Sequence, residues 1–295
     1  MGRSFRGVLW VAAGATLWGT DTLLRRPLAG VLGPTQIVLY EHAILSVIVL
    51  PIIFRNRIEL GKITRPVWLA LIGTAWIGSA LATVLFTAAI RSGNPTTAVL
   101  LQKTQPFFTI ALARLGLKER WPRRFPYLAM IAIAGAYLVA FGDGNLVRPA
   151  YSIQTWPAFL ALGAAAGWGC ATILGRITTA SVSFELVTAL RFVFALPLLL
   201  VAALIQRQAG LPSVPQAMSL IWIALIPGFA ALLLYYRGLR QTPASQATIA
   251  ELAFPVTASL LNWYALGTSV APLQIVGFAL VWSAILWLSR QDRPL

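Results

Sequence analysis

The chain has 295 residues, of which 58% are hydrophobic and only 11% charged, with a mean hydropathy of +0.78. That is too apolar for a soluble domain of this length, so the net charge of +15 calls for a membrane explanation before a nucleic-acid one. With a single cysteine, Cys170, and a single histidine, His42, the sequence excludes an internal disulfide, a cysteine metal cluster and a paired-histidine zinc site, and no cofactor is expected.

A helix needs roughly 20 apolar residues to cross the hydrocarbon core. Glycine, proline and basic residues delimit ten such stretches, at 6–25, 35–54, 66–90, 95–115, 125–141, 156–176, 184–206, 218–239, 243–267 and 272–289. The first follows Met1-Gly2-Arg3-Ser4-Phe5-Arg6 and has the look of a secretory signal peptide. Its counterpart recurs in the second half as a span, so it is read as a retained first helix. Spans three and four are joined by Arg91-Ser92-Gly93-Asn94-Pro95, and spans eight and nine by Arg240-Gln241-Thr242-Pro243. Loops this short make each pair an antiparallel hairpin. Asn94 and Thr242 are suited to cap the following helix, with Pro95 and Pro243 in its first turn. Between spans five and six, Gly142-Asp143-Gly144-Asn145 opens a polar, turn-rich connection that runs to Thr155.

The chain also reads twice. At a difference of 150, Ala15-Thr16-Leu17-Trp18-Gly19 answers Ala165-Ala166-Gly167-Trp168-Gly169, and Arg26 answers Arg176. At 149, Arg91 matches Arg240, Ala98 matches Ala247, Gln102 stands opposite Glu251 and Pro106 matches Pro255. The repeats are expected at 1–142 and 156–295, linked by 143–155. Five spans per copy is an odd number, so the copies cross the bilayer in opposite senses, which is the architecture of a transporter. The expected fold is an all-α polytopic membrane protein of two inverted five-helix repeats.

The basic residues separate by side. Sixteen of the 23 Lys and Arg fall in the termini and alternate loops on the N-terminal side of the membrane. Five (Arg25, Arg26, Arg91, Arg148, Arg207) fall on the other side, and Lys103 and Arg191 lie within spans. By the positive-inside rule both termini are cytoplasmic, and nucleic acid is not needed to account for the charge. No phosphate-binding loop occurs and no soluble region is large enough for a nucleotide-binding domain, so transport needs no ATPase subunit and is passive or ion-coupled.

Ionisable residues within spans are the sharpest functional signal, since a charge at bilayer depth costs on the order of 3 kcal/mol. Asp21, Glu41, His42, Lys103, Arg191 and Glu251 fall there. Glu41 and Arg191 are 150 apart and opposite in sign, which suggests an ion pair across the repeat interface, and Lys103 is placed to neutralise Glu251 or meet a substrate carboxylate. Trp18 and Trp168 are equivalent, mid-span and each followed by glycine, so a pseudo-twofold axis can bring both indoles to one space. Tyr40, Trp76, Phe86, Tyr235 and Tyr236 can add to an aromatic lining. Gln102, Gln105 and Thr109 share one helical face, as do Ala247, Glu251, Phe254, Ala258 and Asn262, and each face is interrupted by a proline, Pro106 or Pro255. Gly73, Gly78, Pro106, Pro227, Gly228 and Pro255 are candidate hinges of spans three, four, eight and nine.

A doubled, ten-span chain with A-x-x-W-G in the first span of each half and Glu251 four residues before Pro255 resembles the EamA-type drug/metabolite transporter superfamily over its whole length. Within it, Leu17-Trp18-Gly19-Thr20 and the chain length resemble the aromatic amino acid exporters of the YddG type. The resemblance implies a basket of ten helices around one central cavity that opens alternately to either side of the bacterial inner membrane. It also implies export of aromatic and other neutral amino acids, with Trp18 and Trp168 lining the cavity. On that reading Asp21 or Glu41 suits the substrate's ammonium and Lys103 or Arg191 its carboxylate, while Tyr40, Trp76, Gln102, Tyr235 and Glu251 complete the site. Gln102 departs from the symmetry of Glu251, so a carboxylate role on span nine has no twin on span four. The alternatives are a proton-coupled multidrug or metabolite exporter with a loose aromatic cavity, and an intramembrane enzyme. Against the enzyme stands the absence of any closely spaced carboxylate cluster among the 8 acidic residues.

Overall fold

The computed structural model describes residues 3–92, 98, 101–121, 123–141, 155–208, 210–266 and 271–290. Those residues form helices and connecting turns with no strand among them, and a helix satisfies its own backbone polar groups in hydrocarbon. Span one is two helices, Arg3–Trp18 and Asp21–Ala29. Span two is Pro34–Arg55, span three Arg65–Ser92, span four Gln105–Gly116 after a helical residue pair at 101–102, and span five Phe125–Phe141. In the second copy, span six is Thr155–Ser181, span seven Phe184–Ile205, span eight Val214–Leu239, span nine Ala244–Ala250 followed by Ala253–Leu266, and span ten Pro272–Ser289. Spans two, three, six, seven and eight are single helices long and apolar enough to cross a membrane. Spans five and ten are shorter apolar helices. Asn94, Pro95 and the connection 142–154 lie outside the described residues.

Cross-half packing obeys the pseudo-twofold axis that the sequence repeat requires. Span one packs on spans eight and nine, and its twin, span six, packs on spans three and four. Span two packs on its own twin, span seven, and span five on span ten. Small residues make these crossings close. A Cβ on Gly19 would lie 2.6 Å from the Thr257 Cβ and 2.9 Å from the Ala258 amide nitrogen, and one on Gly169 would lie 2.9 Å from the Phe108 Cβ and 3.1 Å from the Thr109 amide nitrogen. These partners correspond under the repeat, so the small-residue faces of spans one and six serve packing within the chain. At the crossing of spans five and ten, a Cβ on Gly277 would lie 2.7 Å from the Gly135 carbonyl oxygen and 2.8 Å from the Val139 amide nitrogen. Both obstacles are backbone, which no rotamer change relieves. Gly277→Val is therefore expected to cost at least about 3 kcal/mol, at or beyond the upper end for overpacking. Size-exclusion chromatography of the detergent-extracted protein should show the monodisperse peak lost, and a wild-type profile would refute the close crossing.

Besides the break at Gly19-Thr20 in span one, three features interrupt the helices, and the sequence explains two of them. Proline removes one N–H and clashes with the carbonyl four residues earlier. For Pro106 and Pro255 those earlier residues are Gln102 and Glu251, and both spans break there. Thr104 N–H bonds the Leu101 carbonyl at 3.0 Å before the helix resumes at Gln105, while Leu252 N–H bonds the Ile249 carbonyl at 3.1 Å before it resumes at Ala253. The third feature is a pair of π-helical segments, Thr74–Leu81 in span three and Ala224–Ala230 in span eight, again equivalent under the repeat. They contain Gly78, Pro227 and Gly228, and Gly73 immediately precedes the first.

The cap expected at span nine is replaced. Pro243 is itself the N-cap residue, and the Thr242 hydroxyl has no hydrogen-bond partner. The Glu119 carboxylate, from the loop after span four, accepts instead from the Ala244 N–H at 2.8 Å, the Ser245 N–H at 3.1 Å and the Ser245 hydroxyl at 2.6 Å. Glu59 does the same at the start of span seven, accepting from the Ser183 N–H at 2.7 Å and its hydroxyl at 2.5 Å. A carboxylate reaches more orphan amides than a threonine hydroxyl and complements the positive helix end.

A cavity between the two repeats

The breaks in spans one, four and nine and the π segments all border one cavity of about 150 Å³ between the two repeats. Of the binding candidates, Trp18, Asp21, Glu41, Gln102, Lys103, Trp168, Arg191, Tyr235 and Glu251 line it, and of the hinge candidates Pro106, Pro227 and Gly228 do. Tyr40 and Trp76 do not. The Tyr40 hydroxyl donates to the Gly210 carbonyl at 2.9 Å. Trp76 is 46% exposed, with its indole N–H donating to the Phe194 carbonyl at 3.0 Å. Gly73, Gly78 and Pro255 do not line it either: the Gly78 carbonyl accepts from the Trp168 indole N–H, Gly73 lies beside Leu174, and Pro255 is buried next to Phe254.

The aromatic lining is built in symmetric pairs. Trp18 packs against Tyr235 with ring centroids 5.1 Å apart, and Trp168 against Phe86 at 5.2 Å. Positions 18 and 168 are twins, and so are 86 and 235, so the two pairs are one arrangement repeated. They differ in their polar contacts. The Trp168 indole N–H donates to the Gly78 carbonyl in the π segment at 3.0 Å, and the Tyr235 hydroxyl donates to Thr172 at 3.0 Å. Phe192 and Phe254 extend the apolar wall.

The charged groups are arranged differently from the sequence expectation. Glu41 does not pair with Arg191. Because a new helix begins after the break at Gly19-Thr20, Asp21 and Arg25 stand one turn apart on one face. The Arg25 guanidinium, 2% exposed, bonds both Asp21 oxygens at 2.8 and 2.7 Å and Glu41 Oε2 at 2.9 Å. Arg25, which sequence reading places at the outer edge of span one, is thus a buried cation shared by two carboxylates. Arg191 donates instead to the Tyr236 hydroxyl at 2.7 Å and to Ser79. The Lys103 ammonium makes no direct ion pair with Glu251. It sits 3.6 Å from the Phe254 ring centroid, with no carboxylate at ion-pair distance among the described residues, while Glu251 Oε2 accepts from Gln105 at 2.6 Å.

Several lining groups are left without partners: Arg25 Nη1, His42 Nε2, Gln102 Oε1, Thr248 Oγ1 and Glu251 Oε1. Buried polar atoms are nearly always hydrogen-bonded, so five unpartnered atoms on residues that line one cavity make its wall polar as well as aromatic. Sequence reading missed Arg25, Thr248 and Ser79 as lining residues. The Asp21 to Arg25 spacing of four was a usable signal, whereas nothing local distinguishes Thr248 or Ser79.

Comparison with known proteins gives the context for this cavity. The EamA-like transporter family model matches twice, over residues 5–141 and 155–290. The chain is 31% identical over 301 aligned residues to the riboflavin transporter ImpX of Fusobacterium nucleatum, an alignment spanning 98% of this chain and 99% of that protein. It is 30% identical to the uncharacterized transporter YwfM of Bacillus subtilis over 212 residues, 71% of this chain and 69% of that one. A crystal structure at 16% identity superposes with a TM-score of 0.78, covering 97% of this chain and 99% of its own, and supports the fold alone. The doubled match, the inverted packing of the two halves and the cavity between them have one reading: the chain belongs to the EamA-like transporter family and is a multi-pass membrane transporter.

Proposed function

We propose that this transporter carries a flat, polar-edged heteroaromatic solute of riboflavin's kind, bound between the Trp18 and Trp168 indoles, by alternating access. The observation that carries the reading is the symmetric aromatic lining combined with polar residues in the same wall. Asp21, Glu41 and Arg191 already have partners within the protein, so most of the charges suited to a zwitterion are occupied. Similarity to a riboflavin transporter along nearly the whole chain supports the same class. The π segments and proline breaks, with Gly73, Gly78, Pro106, Pro227, Gly228 and Pro255, are the hinges, and movement down the gradient is facilitated diffusion. Helical spans and bacterial relatives favour the bacterial inner membrane, and the distribution of basic loops favours cytoplasmic termini.

A second reading, export of aromatic amino acids, is favoured by one observation: Lys103 and Glu251 face the same cavity without pairing. That leaves a cation for a carboxylate and an anion for an ammonium. Proteoliposomes assayed for riboflavin by fluorescence and for radiolabelled tryptophan, with and without an imposed pH gradient, decide between them. The expected result is riboflavin equilibration insensitive to the pH gradient and reduced at least about tenfold by Trp18→Ala or Trp168→Ala, since each loses a stacking surface worth about 1 kcal/mol or more together with its buried area. Tryptophan flux without riboflavin flux would put the amino acid reading first. Flux of neither above empty liposomes, in protein shown to be folded, would overturn both.

A further inference from the structure

We propose that the protein binds the head group of an anionic phospholipid in a cleft of about 470 Å³ at the end of span two, apart from the cavity between the repeats. The cleft follows from a turn in the chain. Span two ends at Arg55, and Asn56 closes it by donating from its side-chain amide to the Ile52 carbonyl at 2.8 Å. The short helix Arg57–Leu60 then carries the chain round to Lys62 before span three starts at Arg65. Glu59 ties this turn to the start of span seven through its bonds to Ser183. Arg55 and Lys62 thereby line one cleft with Thr64 and Ser181, against the buried side chains of Val67 and Val182. All four polar residues are exposed, so their groups are open to a ligand.

The chemistry of the lining selects the ligand. Arg55 and Lys62 form no ion pair among the described residues, and Thr64 and Ser181 add hydroxyl groups that can donate. Glu59 is the one carboxylate among the described lining residues, and both its oxygens are committed to Ser183 at the positive end of span seven. What remains is a set of cationic and neutral donors, which suits a phosphate. The repeat does not require these cations, since their equivalents 150 residues on are Ile205 and Pro212. The surroundings favour a lipid as the source of that phosphate. Spans two and six end at the cleft and span three begins there, which is where apolar membrane helices give way to the head-group layer. Ile58, in the lining, is 73% exposed, and Phe54, next to Arg55, is 68% exposed. Such side chains offer acyl chains a surface for which a free phosphate has no use.

Energy transfer from the protein's tryptophans to a dansyl group on the acyl chain measures lipid binding to the delipidated full chain in a neutral detergent. The probe is phosphatidylglycerol, with phosphatidylcholine carrying the same label as the neutral comparison. Wild type should bind phosphatidylglycerol at least about tenfold more tightly than phosphatidylcholine. Arg55→Gln and Lys62→Gln should each weaken phosphatidylglycerol about fivefold, and together about thirtyfold, while phosphatidylcholine is unchanged. The control is the double variant Arg123→Gln, Arg124→Gln, which removes the same charge from exposed positions in the loop after span four that line no part of the cleft. Its affinity should stay within about twofold of wild type at about 0.15 M salt, where distant charges are screened. Equal weakening by the two double variants would mean diffuse surface attraction and would overturn the proposal. So would equal wild-type affinity for the two lipids, or no loss in the Arg55→Gln, Lys62→Gln protein. Displacement of the lipid by inorganic phosphate at the lipid's own concentration would make free phosphate the ligand and overturn the lipid assignment. Matching elution volumes and thermal transitions establish that the variants fold, and none of these outcomes bears on the solute carried in the central cavity.

Discussion

Arg25→Met is expected to remove most of the folded protein. Arg25 is the only cation hydrogen-bonded to Asp21 and Glu41 among the described residues, and it is buried with them. Removing one partner of a buried ionic cluster leaves uncompensated charge and costs roughly 3–5 kcal/mol, a large share of the 5–15 kcal/mol that holds an ordinary domain. Arg25→Lys should fall between wild type and Arg25→Met, because one ammonium cannot reproduce the two parallel bonds to Asp21 together with the third to Glu41. The triple variant Asp21→Asn, Arg25→Met, Glu41→Gln should recover much of the loss, since neutral amides remove the stranded charges. Thermal unfolding followed by size-exclusion chromatography measures all three. A wild-type melting profile for Arg25→Met would mean that the carboxylates are protonated or hydrated and that the cluster does not hold spans one and two together.

Much of this architecture was legible in the sequence because the code for it is repetitive. Ten apolar stretches, a 149- to 150-residue register and an odd number of spans per copy lead to inverted repeats by arithmetic, and matched residues such as Trp18 with Trp168 then fall on equivalent surfaces. The same arithmetic misled for Glu41 and Arg191. Residues equivalent under a twofold axis are related by rotation, which does not make them neighbours: Glu41 pairs with Arg25, and Arg191 with Tyr236 and Ser79. Arg25 was hidden because it lies at the predicted edge of span one. Only the break after Trp18 turns its helix so that the guanidinium points inward. Tyr40 and Trp76 show the limit of residue type as a guide: an aromatic ring in a span says nothing about which face it occupies. The prolines announced the breaks at Gln102 and Glu251, while the π form of Thr74–Leu81, which contains no proline, had no sequence signal. The carboxylate caps were equally hidden, since Glu119 and Ser245 stand 126 residues apart.

Trp168→Phe is expected to impair transport more than Trp18→Phe, although the two tryptophans are twins. Both substitutions keep an aromatic face on the cavity, and each retains its ring neighbour, Tyr235 or Phe86. Only Trp168 is also a hydrogen-bond donor to the scaffold. Its N–H meets the Gly78 carbonyl inside the π segment of span three, where Thr83 is the other side chain that reaches it, at 3.3 Å. Trp18 makes no side-chain hydrogen bond among the described residues. Phenylalanine at 168 therefore loses one bond and under-satisfies a carbonyl in a segment that moves if spans three and eight are the hinges. An unmade buried bond costs about 1–3 kcal/mol, so turnover should fall roughly five- to a hundredfold for Trp168→Phe and within about threefold for Trp18→Phe, with similar half-saturation for both. Initial rates of solute entry into proteoliposomes over a concentration series separate the two quantities. If the two variants lose turnover equally, the indole acts through its face alone and the bond to Gly78 has no part in the conformational cycle. If half-saturation rises in Trp168→Phe while turnover holds, the bond sets the shape of the binding cavity and the hinge lies elsewhere.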